Sequence, residues 1–268
     1  MKSLDPNKGA GPDDIPPTVL KYCAPVLASH LAVFFSALLA VGVFPACLKF
    51  GYVVPIFKSG ARGDVRNYRP IVILSALAKV FESIVYDHLY FHLRKYISLE
   101  QHGFLRSRST ISNLLEFQDF VMSAFMSSCQ VDTVYLDFSK AFDKVNHCLL
   151  ISKLEAYGVR GPLLTWLENY LKDRQLIVRA EGSYSAPFFA TSGVPQGSHL
   201  GPLLFNMFMN DIGRVITVHH LLFADDIKIF TKIRSSLDQD NLQISLSNIC
   251  YEQLEKITLF LLKKNICF

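Results

Sequence analysis

What this chain lacks narrows its class before any motif is read. Its six cysteines, Cys23, Cys47, Cys129, Cys148, Cys250 and Cys267, never fall at a Cys-x-x-Cys spacing. That pattern argues against zinc and for free thiols in a reducing compartment. No internal repeat, no low-complexity tract and no basic-then-apolar leader with a small-residue cleavage site is present, so secretion is not expected. Charge of one sign is scarce too: a net +4 permits an anionic partner without demanding one. One long uncharged run, residues 31–48, has about the minimum length of a membrane span. Ser36, Gly42 and Pro45 interrupt it and Lys49 follows closely, so a buried core helix is expected and no membrane partner.

What is there is apolar bulk. Half of the 268 residues are apolar and 21 are Phe, which excludes disorder and suffices for one multi-lobed unit or two domains. Within that bulk, Leu221-Leu222-Phe223-Ala224-Asp225-Asp226-Ile227-Lys228-Ile229-Phe230 sets two adjacent carboxylates in a strand-like run. Asp is at home in hairpin turns, and a turn is the plain reading. A second acidic strand, Thr133-Val134-Tyr135-Leu136-Asp137-Phe138, adds weight to another. Paired side by side, the two strands would bring Asp137 against Asp225 and Asp226. Clustered carboxylates lose water and repel one another, and a divalent cation compensates both. Two Mg²⁺ ions about 4 Å apart would suit in-line phosphoryl displacement, here nucleotidyl transfer.

These residues carry a resemblance. Phe223-Ala224-Asp225-Asp226 resembles the active-site box of reverse transcriptases, in the form typical of jockey-like non-LTR retrotransposons. Tyr135 to Val145, reading YLDFSKAFDKV, is similar to the family's first aspartate motif, and SGVPQGSHLGPLLFN from Ser192 to Asn206 to its template and nucleotide grip. The resemblance implies an α/β right-hand polymerase fold, with an N-terminal extension over 1–49, fingers over 50–115 and a palm over 116–268 whose antiparallel sheet packs on helices. It further implies RNA-directed DNA synthesis on an RNA template from a DNA primer with dNTPs and two Mg²⁺ ions, for which Mn²⁺ can substitute. Thumb and endonuclease regions of a parent polyprotein are expected to be missing. Residence in the nucleus or cytoplasm is likewise only implied. The competing reading is an inactive remnant that only binds RNA or primer–template.

The same resemblance distributes roles. Asp137, Asp225 and Asp226 would be catalytic and hold the metals. Phe138, Gln196 and Gly197 would contact the nucleotide, and Phe142 would crowd a 2′-hydroxyl as a steric gate, with a core Phe as the plain alternative. In the basic loop, Lys58 and Arg69 sit in motif positions and would clamp the triphosphate. Arg62 and Arg66 read as surface charges or RNA-backbone contacts. Gln101-His102-Gly103-Phe104-Leu105-Arg106-Ser107-Arg108 places Gly103, Phe104, Arg106 and Arg108 as a template grip. Lys263-Lys264 loosely resembles a later palm motif.

Periodicity and punctuation predict helices over 18–27, 74–96, 111–126 (capped by Ser109 or Thr110), from about 149 to Gly158, from Pro162, and over 242–262. A hairpin of 175–180 and 186–191 is expected to deliver Gln196. The eight His are read as structural or surface. His219 and His220, as strand neighbours, point to opposite faces and cannot share one ion.

Overall fold

The computed structural model describes residues 1–254 and 259–262. In chain order the elements are α1 (Pro17–Tyr22), α2 (Ala24–Ala40), β1 (Gly51–Phe57), β2 (Tyr68–Leu74), α3 (Ala76–Leu93), α4 (Thr110–Met126) and β3 (Gln130–Phe138). There follow α5 (His147–Ala156), α6 (Pro162–Leu171), β4 (Arg174–Ala180), β5 (Ser183–Tyr184), β6 (Phe188–Ala190), α7 (Gly201–Met209), β7 (His219–Phe223), β8 (Asp226–Ile233), α8 (Ser236–Leu254) and β9 (Leu259–Leu262). The chain divides into two compact units, one of residues 1–93 and 147–201, the other of 94–146 and 202 onward.

The first unit is built on a sheet of order β2-β1-β4-β5, with β6 also pairing β4. Strands β1 and β2 form an antiparallel hairpin from Gly51 opposite Leu74 to Phe57 opposite Tyr68. Its aromatic core centres on Phe81 of α3, stacked on Phe35 of α2 at 4.1 Å and edge-on to Trp166 of α6 at 5.0 Å. Trp166 and Tyr170 are wholly buried. Pro162 opens α6 where its missing N–H costs nothing, and Gly158 (φ +87°) ends the turn after α5.

Two expectations fail at the start of this unit. The helix over 18–27 is broken at Cys23, because Pro25 sits in the first turn of a new helix, where a proline belongs. The uncharged run over 31–48 is no buried helix. Helix α2 ends at Ala40, Gly42 turns the chain at φ +70°, and of the helix only Ala24 and Phe35 are buried while Val26 and Val33 lie exposed. A helix apolar all round does not reveal which side will be covered. No helix among the described residues is long and apolar enough to cross a membrane.

The second unit carries an antiparallel sheet of order β7-β8-β3-β9. Alternation puts Val131, Leu221 and Phe230 on one face, where they pack with Ala124, Phe117, Phe120 and Val121 of α4. Ser109 caps α4 in a reciprocal capping box with Ser112, as expected for that loop. At the C-terminal side a helix over 242–262 was expected. Helix α8, Ser236–Leu254, covers its first part, but Leu259–Leu262 pairs antiparallel with β3 instead. A short apolar run suits helix or strand equally, and an open sheet edge decides it. Lys263 and Lys264 lie outside the described residues.

Phe81→Ala should destabilise the first unit by about 3–5 kcal/mol, the cost of emptying a large aromatic site. Urea unfolding measures it. A loss below about 1 kcal/mol would show that the stack does not organise the core.

Candidate functional site

The two acidic strands are neighbours. Strands β3 and β8 pair antiparallel along their whole length, from Gln130 opposite Ile233 to Asp137 opposite Asp226. Directly opposed residues project to the same face, with Cα atoms about 4.5–5.5 Å apart, so both carboxylates leave the sheet together at its end. Asp225 sits beside them in the turn that joins β7 to β8, where Phe223 opposes Asp226. Thus the plain turn reading holds, and the same turn gathers the acids: the carboxylates are brought together because they occupy a hairpin tip. Ala224, the first loop residue, adopts φ +57°. Tight hairpins demand positive φ there, and a non-glycine residue pays about 1–2 kcal/mol for it.

The electrostatics match that crowding. Partial burial, then the negative charges of Asp225 and Asp137, push the Asp226 carboxyl above the usual aspartate range, although it keeps an exposed edge. Among the described residues no group of three or more His, Cys, Asp and Glu side chains closes into a cage for an ion. The donors are nevertheless hard oxygens, and the charges of Asp225 and Asp137 press on Asp226. Mg²⁺ is typically held by one or two carboxylates with phosphates and water completing the shell, and Asp137, Asp225 and Asp226 fit that partial set.

The segment before α4 runs alongside this hairpin. Leu222 N donates to Glu100 O, and His102 N to Leu222 O, both at 2.9 Å, so residues 100–102 extend the sheet at the β7 edge. Gln101 is buried, and its Oε1 accepts from Gly103 N at 2.7 Å and from Ala224 N at 3.0 Å. Asn206 Nδ2 donates to Gly103 O at 2.9 Å, and a Cβ on Gly103 would collide with the Ala224 amide. Gly103 is therefore required for close approach of backbone to backbone. Beyond it Phe104 is exposed, while Arg108 spends one guanidinium nitrogen on the carbonyls of Leu99 and Gln101. Arg106 is exposed in the same loop.

Phe142 lies in a short 3₁₀ turn, Ala141–Lys144, stacked on Phe205 at 4.1 Å and edge-on to Phe104 at 5.9 Å. It is half-buried, as a ring must be that is both packed and presented. Phe138 differs: at 2 % exposure its ring belongs to the core, and only its backbone is left to meet a ligand.

Lys58, Arg69, Gln196 and Gly197 belong to the first unit. Arg69 faces Ile56 across the hairpin, and Lys58 N donates to Asn67 O at 2.8 Å, which leaves both cationic side chains exposed at its tip. Arg66 pairs with Asp64 at 2.7 Å and Arg62 lies over the Phe57 ring, in keeping with surface charges. Val72 N donates to Gln196 O at 3.2 Å, and Gly197, at φ +97°, has no room for a Cβ against Val72 O. The same loop is held from below. Ser198 Oγ donates to Pro195 O, and the buried Glu82 accepts from His199 N at 2.8 Å. Neither Glu82 nor Gln101 stood out in sequence. An acid interrupting the apolar stripe Ala78, Val85, Leu89 of α3 was the available signal for Glu82, and Gln101 offered none.

Burial drives the Glu82 carboxyl above the usual glutamate range, against the opposing pull of Arg174. A raised acid binds more protons folded than unfolded, so stability should fall as pH rises from the unfolded value of 4.5 through the raised folded one. Glu82→Gln should flatten that fall. Thermal midpoints measured in parallel across pH 4 to 8 check it, and identical slopes for both chains refute it.

The reverse transcriptase (RNA-dependent DNA polymerase) family profile matches residues 56–262. Among curated proteins, the probable RNA-directed DNA polymerase from transposon BS of Drosophila melanogaster is 34% identical over 79% of this chain. The RNA-directed DNA polymerase from mobile element jockey of Drosophila funebris is 28% identical over 87%. The chain spans 24% and 26% of those relatives' lengths. Among solved structures, apo telomerase from Candida tropicalis, truncated from its C-terminal domain, superposes with a TM-score of 0.61 at 15% identity, over 84% of this chain and 51% of that one. At that identity the likeness shows a shared fold, the right-hand polymerase fold.

Proposed function

This chain belongs to the reverse transcriptase family, and from that premise we propose that it is the polymerase core of an RNA-directed DNA polymerase of a non-LTR retrotransposon, extending a DNA primer on an RNA template with dNTPs. The observation that carries the proposal is the register of β3 against β8, which sets Asp137 opposite Asp226 with Asp225 in the adjoining turn. In this reading the second unit's sheet is the palm and the β1–β2 hairpin part of the fingers.

Reverse transcriptase domains generally use divalent metal ions. Two Mg²⁺ ions, or Mn²⁺ in their place, would lower the pKa of the primer 3′-hydroxyl and neutralise the charge developing on pyrophosphate. Asp137 and Asp225 would hold them, with Asp226 supplying field and one further oxygen. The protein needs no nucleophile of its own, because the primer brings it. Lys58 and Arg69 would draw the triphosphate by charge and planar hydrogen bonds. Gln196 would present an amide that both donates and accepts, on a loop made narrow by Gly197. Phe142 would stand against the sugar, its ring fixed by the stack on Phe205. Phe104 and Arg106 would hold the template strand without reading it.

Asp225→Asn should abolish Mg²⁺-dependent extension of a DNA primer on RNA while leaving the circular dichroism spectrum unchanged. Undiminished synthesis by the folded variant would sink the carboxylate assignment. No extension by the parent chain, with duplex binding intact and salt-sensitive, would favour the RNA-binding remnant. Phe142→Ala should raise ribonucleotide incorporation relative to deoxynucleotide, read in single-nucleotide extension assays; an unaltered sugar preference returns Phe142 to the core.

A further inference from the structure

We infer that Gln101 is a positioning residue for the catalytic turn: a single buried carboxamide oxygen ties the backbone of the template-side loop to the backbone of the Asp225–Asp226 hairpin. The inference rests on the polymerase reading only where it predicts kinetics.

The geometry is specific. One oxygen, Oε1, takes both N–H groups, from Gly103 at 2.7 Å and from Ala224 at 3.0 Å, in a side chain that is 3 % exposed. An sp² oxygen has two lone pairs, and both are used here. Ala224 is the residue the hairpin holds at positive φ, directly before Asp225. A backbone in that sparsely populated region persists only when its surroundings over-determine it. The surroundings are the strap itself: Glu100 and His102 bond Leu222 from one side, Asn113 Nδ2 donates to the same Leu222 carbonyl at 3.2 Å, and Asn206 anchors Gly103. Gln101 is the member of that set whose side chain reaches the turn.

Function follows from what the tether joins. Gly103 leads directly into Phe104 and Arg106, the exposed residues assigned to the template, and Phe104 in turn touches Phe142. A displacement of the loop is transmitted to Ala224 through two hydrogen bonds sharing one atom. Gln101 touches neither substrate nor metal; it acts by fixing where the carboxylates of Asp225 and Asp226 stand.

The test compares Gln101→Met, which keeps side-chain length but removes the acceptor, with Gln101→Glu, which keeps an acceptor at the same reach. Gln101→Met should speed amide exchange at Gly103 and Ala224 while the α4 amides stay protected. It should weaken Mn²⁺ binding, followed by electron paramagnetic resonance, and lower kcat by about 10–100-fold, the usual cost of losing a residue that orients metal ligands, with the KM for dNTP unchanged. Gln101→Glu should restore protection at Ala224. Asp225→Asn, run beside them, identifies the Mn²⁺ signal as that of the carboxylates. Retained Ala224 protection in Gln101→Met overturns the inference, and so does exchange that rises uniformly across the sheet in both variants. Should the parent chain show no extension at all, the polymerase reading falls, while exchange and Mn²⁺ binding still decide the role of Gln101.

Discussion

The constraint on which the candidate site depends is the refusal of three carboxylates to share a small volume. Asp137, Asp225 and Asp226 are brought together by strand pairing: a ladder that runs from Gln130 to Asp137 and a hairpin that leaves no slack between Phe223 and Asp226. Partial burial, and then the charges of Asp225 and Asp137, raise the Asp226 carboxyl, so the sheet works against its own side chains. Carboxylates gathered this way would suit cations, because the cost of assembling their charge has been met by pairing and packing elsewhere. The packing that meets it is visible on the same sheet, where α4 closes over Val131, Leu221 and Phe230.

Close backbone approach is the second recurring device. Gly103 lies against the Ala224 amide and Gly197 against the Val72 carbonyl, each where a Cβ would collide. Within the second unit Gly103 carries its loop onto the β7–β8 turn, and within the first Gly197 carries its loop onto β2. Buried polar side chains then fix what the glycines permit. Gln101 and Asn206 do so in the second unit, and Glu82 and Ser198 in the first. Each of these contacts gives a loop N–H or carbonyl a partner away from water, which holds the loop in place.

Legibility followed range. Each acidic strand by itself, the N-cap at Ser109, the helix opened by Pro162 and the hairpin ahead of Gln196 were readable because each depends on residues close together in the chain. The errors came where distant surface decided. Helix α2 is apolar on most sides and the chain gave no sign that Ala24 and Phe35 would be its buried residues. Leu259–Leu262 extends a helical pattern until an unpaired edge of β3 claims it. The ring of Phe138 alternates correctly along its strand, but which side is core depends on what packs there.

What the sequence by itself determined is the chemistry: which strands carry acid, where the chain must turn, and the family to which the ordered motifs assign it. These follow from side-chain type, period and local φ, which need no knowledge of the rest of the chain. Only the tertiary structure decided that Asp137 stands opposite Asp226, that Gly103 makes room for Ala224, and that Gln101 and Glu82 hold the loops beside them. Each of those facts is a contact between residues far apart in sequence, and register, burial and hydrogen-bond partnership across such distances are properties of the folded chain, which no local pattern encodes.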